Sequence, residues 1–318
     1  MDDLLAYLAQ TPADGRFQQW QITRIHGSAN NILYRATGPD GDVAVKFTIR
    51  DRRRRAWREF NALTAVRQAG LDVVPQPLWL DEASYPQPVV AQTWEAGEVT
   101  AVPLQTDDEW RQLLAHYVAL RAVTPRTTSV PIRKGIINFG SIQEGTEAIW
   151  QQVEMFPREA RPEVLNELLA RLPLPLPDYE PVRPSLCRVD ANPLNFLRRP
   201  DGWLSVDWEN SGWGDPAFEI VDTMTHPQYL SVPESRWEWL AAEYGVMSGD
   251  VTAVTRIQAT YPLMLIWWVA RLARMLYEVP LGGDERLVER PSGWQADIEW
   301  KLQLYGERAT AVLDNLPH

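Results

Sequence analysis

Three residues near the middle of the chain carry oxygen-bearing side chains at spacings that suit chemistry on a phosphate. Asp190 is followed five positions later by Asn195, and Asp207 ends a short, mainly apolar run. Phosphoryl transfer needs a carboxylate that orients the attacking hydroxyl and oxygen ligands that hold magnesium on the phosphates. These side chains supply such groups within one strand–loop–strand unit, although Asp190 and Asn195 alone are equally typical of an Asx turn.

A lone lysine upstream adds a cation to this set. Lys46 lies in the apolar run Val43–Ile49, which has the pattern of a strand. A buried ammonium without a partner is costly, so we expect a carboxylate to meet it. Glu59, between Trp57 and Phe60 on the predicted helix that follows, is the candidate partner. A strand lysine held by a helix glutamate is the arrangement that kinases use against the phosphates of ATP.

The elements that must position these residues differ between the two ends of the chain. The first part alternates like strands and has one helix with Gly70 at its C-terminal cap; strands are predicted at 19–25, 32–37, 43–49, 73–80 and 88–94, and the helix at 53–68. Thr106 and Glu109 form a capping box that opens the helical part. Helices are predicted there at 106–122, 142–155, 162–172, 233–244, 251–278 and 294–314.

The motifs together resemble the aminoglycoside phosphotransferase and choline kinase superfamily, the small-molecule branch of the protein-kinase-like fold. The matching segments are Val43–Lys46, Arg58–Phe60, Asp190–Asn195, Val206–Glu209 and Gly214–Glu219. The resemblance implies an α+β, two-lobed fold. It consists of a small antiparallel β lobe at residues 1–94 that binds nucleotide and a larger, mainly helical lobe at 95–318 for catalysis and the acceptor.

The same resemblance assigns roles to individual residues. Asp190 would be the catalytic base, and Asn195 and Asp207 would bind Mg²⁺. Nucleotide-binding residues would be Lys46, oriented by Glu59, with Ser28 and Asn30 in the loop over the phosphates and Gln92 and Trp94 in the hinge near adenine. The implied reaction moves the γ-phosphoryl group of ATP to a hydroxyl of a small molecule such as an aminoglycoside or an amino alcohol.

Two departures from the family pattern motivate a second hypothesis. Arg188 stands where the family's catalytic loop usually has a histidine, and the loop 26–31 has a single glycine. A catalytically silent kinase-like protein that binds nucleotide or regulates a partner would fit these departures.

Two charged features nearby each admit two interpretations. Glu209 could be a second metal ligand, or a surface or bracing charge, and we favour the latter. The basic run Arg52–Arg55 could attract nucleotide or an acidic substrate, but such runs are more often the solvated start of a helix.

Composition narrows the classes of partner. The net charge of −11 argues against nucleic acid, and the acidic excess lies almost wholly after residue 100, which weakly favours a cationic acceptor. One cysteine excludes an internal disulfide and is compatible with the cytoplasm. The N-terminus lacks the pattern of a signal peptide, and no apolar run reaches the length of a membrane span. We therefore expect a cytoplasmic protein without membrane contact.

Overall fold

The structure is a computed structural model that describes residues 1–27, 30–100, 104–177, 179–200, 202–284 and 286–316. The chain divides into two compact units. The first consists of residues 1–137, 185–213 and 285–290, and the second of residues 138–184, 214–284 and 291–318. The lobe boundary that the motifs place between residues 94 and 95 stays a prediction.

A six-stranded antiparallel sheet forms the centre of the first unit. Its spatial order is β1-β2-β3-β4-β6-β5, and the strands are β1 Gly15–Phe17, β2 Trp20–Ile25, β3 Asn31–Gly38, β4 Gly41–Thr48, β5 Pro77–Asp81 and β6 Val89–Thr93. β3 and β4 join through a tight turn in which Gly38 pairs with Gly41, and Gly41 has φ of +118°, a region that only glycine enters freely. This register places Lys46 opposite Leu33 on one side and Val90 on the other.

Three described helices and five described short strands complete the first unit. They are α1 Asp2–Leu8, α2 Arg55–Gln68, α3 Asp107–Leu120, β7 Glu98–Val99, β8 Ser185–Cys187, β9 Phe196–Arg199, β10 Gly202–Ser205 and β11 Gly212–Gly214. β9 pairs with both β7 and β10, and β8 pairs with β11. α2 buries Leu63 and Val66 against Trp208, so one core holds the helix beside the segment that follows Asp207. Apolar burial of this kind is the main stabilising term.

The second unit contains six described α-helices: α4 Ile142–Val153, α5 Glu163–Ala170, α6 Phe218–Thr225, α7 Glu234–Ser248, α8 Ala253–Glu278 and α9 Trp294–Asp314. α8 is the longest, and α4, α6, α7 and α9 pack around it. Inside this unit Arg256 makes buried ion pairs with Asp215 at 2.6 Å and Asp250 at 2.9 Å. Among the described residues no helix is long and apolar enough to cross a membrane.

Most elements expected from periodicity are present, with ends shifted by a few residues. The capping box at Thr106 and Glu109 is formed, with both reciprocal hydrogen bonds. The strand expected at 73–80 begins only at Pro77. α1 and α6 were not predicted. α1 is short, and it is held by Leu4, Leu5 and Leu8 packing on the sheet, a tertiary contact that periodicity cannot reveal.

Candidate active site

Lys46 and Glu59 meet inside the first unit. Lys46 lies on β4, where residues 43–48 are all buried, and its ammonium nitrogen Nζ lies 2.7 Å and 2.9 Å from the two carboxylate oxygens of Glu59 on α2. The lysine side chain is 7% exposed and that of Glu59 is fully buried. Such desolvated charges are tolerated only as a hydrogen-bonded pair, so this contact fixes α2 against the sheet.

The same ammonium also contacts Asp207, 2.7 Å from its Oδ1. Burial by itself would lower the pKa of Lys46, but the carboxylates of Asp207 and Glu59 raise it above its ordinary value. Burial would raise the pKa of Asp207, yet the charge and hydrogen bond of Lys46 hold it below its usual range. Asp207 is therefore an ionised acceptor with 28% of its side chain exposed.

The loop after β8 places Asp190 and Asn195 side by side. Asp190 Oδ1 accepts from the backbone N–H of Asn192 at 3.1 Å, and Asn195 Nδ2 lies 3.3 Å from Asp190 Oδ2. A 3₁₀ turn at Pro193–Asn195 brings the amide back towards the carboxylate. Burial raises the pKa of Asp190, and the charge of Arg188 acts in the opposite direction. A carboxylate with a raised pKa suits a group that must accept a proton.

Two residues beside these functional groups have left-handed backbone. Val189 has φ of +56° and Asp207 has φ of +63°. This region is unusual for residues other than glycine, and it is strained for a β-branched side chain such as valine. Strain of this kind persists only where the surrounding structure enforces it, often at functional sites. Val189 directly precedes Asp190, and Asp207 carries its own carboxylate.

Glu209 is a buried brace and not a surface charge. It is 3% exposed, and its carboxylate pairs with the guanidinium of Arg55 at the start of α2. Arg55 also contacts Asp51 at 3.0 Å. The basic run is therefore not simply a solvated face, because Arg55 is buried and Arg54 pairs with Glu82. The spacing of residues in the sequence predicts neither the pairing of Glu209 with Arg55 nor the burial of Glu209.

The predicted nucleotide-binding residues besides Lys46 and Glu59 are Ser28, Asn30, Gln92 and Trp94. Ser28 is outside the described residues, and Asn30 directly precedes β3. Gln92 lies on β6 opposite Ala44, and its Oε1 is buried with no hydrogen-bond partner among the described residues. Such an orphaned acceptor is what a bound ligand with a donor could satisfy. Trp94 already donates its backbone N–H to Asp42 at 2.9 Å, so that N–H is not free for adenine.

The oxygen donors at the site suit a hard divalent cation whose coordination shell is completed by phosphate oxygens. Within the described part of the chain no group of three or more His, Cys, Asp or Glu residues could hold a metal alone. Asp207 and Asn195 offer one carboxylate and one amide oxygen, because the amide nitrogen of Asn195 is the atom turned to Asp190. Mg²⁺ is usually held by one or two such protein groups together with water and substrate phosphates.

The sequence of residues 21–253 matches the model of the phosphotransferase enzyme family, which covers more than half of the chain. The chain belongs to this family. The superfamily resemblance carried by the motifs is thereby confirmed. None of the curated proteins compared with the chain matches its sequence.

Solved structures of other phosphotransferases share the fold. A protein assigned to the aminoglycoside phosphotransferases from Ralstonia eutropha JMP134 is 16% identical, with a TM-score of 0.70 over 100% of this chain and 99% of that one. A choline kinase from Streptococcus pneumoniae is 15% identical, with a TM-score of 0.59 over 99% of each chain. A spectinomycin phosphotransferase bound to ADP and spectinomycin is 11% identical, with a TM-score of 0.60 over 98% of each chain. The predicted α+β, two-lobed kinase-like fold is confirmed.

Proposed function

We propose that this family member transfers the γ-phosphoryl group of ATP to a hydroxyl of a small molecule, with Mg²⁺ as cofactor. The observation that carries the proposal is the position of Lys46, whose ammonium lies 2.7 Å from both Glu59 and Asp207. Glu59 by itself satisfies the buried ammonium, so the second carboxylate, which Asp207 brings from 161 positions away, is the group that phosphate and metal binding explains.

Each residue has a role that its surroundings support. Lys46, held by Glu59, points its charge at the α- and β-phosphates. Asp207 and Asn195 hold Mg²⁺, which neutralises charge on the phosphates when it is bound. Asp190 orients the acceptor hydroxyl and takes its proton, and its raised pKa makes it a better base than an exposed carboxylate. Gln92 and the segment that follows it would contact the adenine.

The acceptor is proposed by class only. The spectinomycin phosphotransferase and the choline kinase named above act on hydroxylated molecules that carry a cationic nitrogen. The acidic excess of the chain after residue 100 is compatible with such an acceptor. We propose an aminoglycoside-like or amino-alcohol acceptor.

A screen for ATP consumption tests the proposal. The protein is incubated with ATP, Mg²⁺ and a panel of amino alcohols, aminoglycosides, macrolides, sugars and homoserine. Asp190→Asn serves as the inactive control and Asp40→Asn, at an exposed turn, as the matched active control. Turnover that needs one acceptor and disappears only in Asp190→Asn supports the proposal. Tight binding of ATP with no turnover on any acceptor would favour the catalytically silent alternative instead.

A further inference from the structure

The guanidinium of Arg188 lies fully buried two residues before Asp190. Its Nη2 donates to the carbonyl of Val206 at 2.8 Å and lies 3.4 Å from the carbonyl of Asp207. Its central carbon lies 4.9 Å from the ring centroid of Phe196. One side chain therefore connects the loop of Asp190 to the backbone of Asp207.

Holding a carbonyl does not by itself require a charge. Nε and Nη1 of Arg188 have no hydrogen-bond partner among the described residues. A buried cation with unsatisfied donors is costly, and a neutral donor could serve Val206 at a lower cost. His116, whose ring also packs against Phe196, is neutral, because burial and then the charge of Arg188 lower its pKa to about 3. The charge of Arg188 must then be offset by carboxylates.

Asp190 and Asp207 are those carboxylates, since both interact electrostatically with Arg188. The charged groups gathered around the site are Lys46, Arg55, Arg188, Glu59, Asp190, Asp207 and Glu209. A neutral residue at position 188 would remove one positive charge and make the net charge of the site one unit more negative. A more negative site attracts metal ions more strongly and repels a free nucleotide.

We propose that Arg188 is a positioning residue that fixes the Asp207 backbone and, by its permanent charge, sets the balance between metal affinity and nucleotide affinity at this site. The inference rests on the proposed function, because it assumes that this site receives a nucleotide. It assigns to the arginine a role that a neutral bracing residue cannot perform. Arg188 would favour entry of the polyanionic nucleotide. It would also weaken the binding of metal ions to the site when no nucleotide is bound.

Isothermal titration of ADP, with EDTA or with Mg²⁺, tests the inference at about pH 8, where histidine is neutral. Arg188→Gln and Arg188→His retain a donor for the Val206 carbonyl but remove the charge, and Arg188→Lys retains both. We expect the neutral variants to bind metal-free ADP about tenfold more weakly and to gain more affinity from Mg²⁺ than the parent gains. Arg188→Lys should stay within about threefold of the parent in both conditions.

A purely structural role would give a different pattern. Equal loss of affinity with and without Mg²⁺ in the neutral variants, or equal loss in Arg188→Lys and Arg188→Gln, would overturn the inference. If the neutral variants fail to fold, Arg188→Lys decides alone, because loss of metal-free ADP binding in a folded lysine variant contradicts a role for the charge. Absence of ADP binding to the parent protein would overturn the proposed function and this inference together.

Discussion

The ammonium of Lys46 lies 2.7 Å from a carboxylate oxygen of Asp207, 161 positions later in the chain. This contact occupies one oxygen of the residue proposed to hold magnesium. A divalent cation at the site would therefore either displace Lys46 from this carboxylate or share the carboxylate with it. Lys46 keeps its second partner, Glu59, at 2.7 Å, so it remains paired if Asp207 turns to a metal.

Asp207→Asn should weaken binding of ADP in the presence of Mg²⁺ by at least about tenfold, since the variant loses a charged metal ligand, and it should not weaken binding in EDTA, since the site becomes less negative. Asparagine is preferred to alanine here because it tolerates the left-handed backbone at this position, φ +63°. Calorimetric titration with and without the metal measures both affinities. Equal weakening in the two conditions would argue against metal binding by Asp207.

Lys46→Met should abolish turnover and also destabilise the protein by about 3 kcal/mol, because it leaves the buried carboxylate of Glu59 unpaired. Adding Glu59→Gln should recover at least about 1 kcal/mol of that loss without recovering turnover. Urea unfolding of the single and double variants gives the two free energies. A double variant less stable than Lys46→Met would show that the charge pair is not the source of the destabilisation.

Asp190→Asn should lower kcat by about 10²–10⁴-fold, the usual contribution of a general base, and it should not weaken ADP binding. The amide keeps an oxygen for the N–H of Asn192, so the loop should retain its conformation. Steady-state kinetics on an acceptor found by the screen, together with thermal unfolding, checks both statements. Near-normal turnover in this variant would remove Asp190 from the role of base.

His116 should make stability fall as the solution is acidified. Burial, reinforced by Arg188, lowers its pKa to about 3 in the folded protein, whereas the unfolded chain takes up the proton near pH 6.5. The unfolded state therefore binds more protons below about pH 6.5, and stability is lost progressively from there towards pH 3. At about pH 5 the loss should be about 2 kcal/mol.

Denaturant unfolding at about pH 7.5, 6 and 5 measures this effect. His116→Gln should lose the corresponding part of the pH dependence, although it will be less stable overall because Nε2 lies 3.0 Å from the hydroxyl of Ser205. His26→Gln, at an exposed position, is the control and should keep the parent's slope. Parallel pH profiles for the parent and His116→Gln would contradict the buried neutral histidine.

Several local features could be predicted because their causes lie within a few residues. The helix that carries Glu59 was predicted from apolar spacing and a glycine cap, and the turn between β3 and β4 from Gly-Pro-Asp-Gly. The need of Lys46 for a carboxylate followed from the cost of burying an ammonium. The burial of Glu209 and its pairing with Arg55 could not be predicted, because the two residues are 154 positions apart.

The sequence by itself determined the chemistry that is available: one strand lysine, three carboxylates and an amide at spacings that favour phosphoryl transfer. Only the tertiary structure decided that Lys46 contacts Asp207, that Arg188 is buried behind the Asp207 backbone, and that Val189 and Asp207 adopt left-handed conformations. The physical reason is that these features depend on packing between residues far apart in the sequence. This packing sets the distances between the charged groups and their burial, and these determine how strongly the charges interact. Spacing along the chain carries no such information.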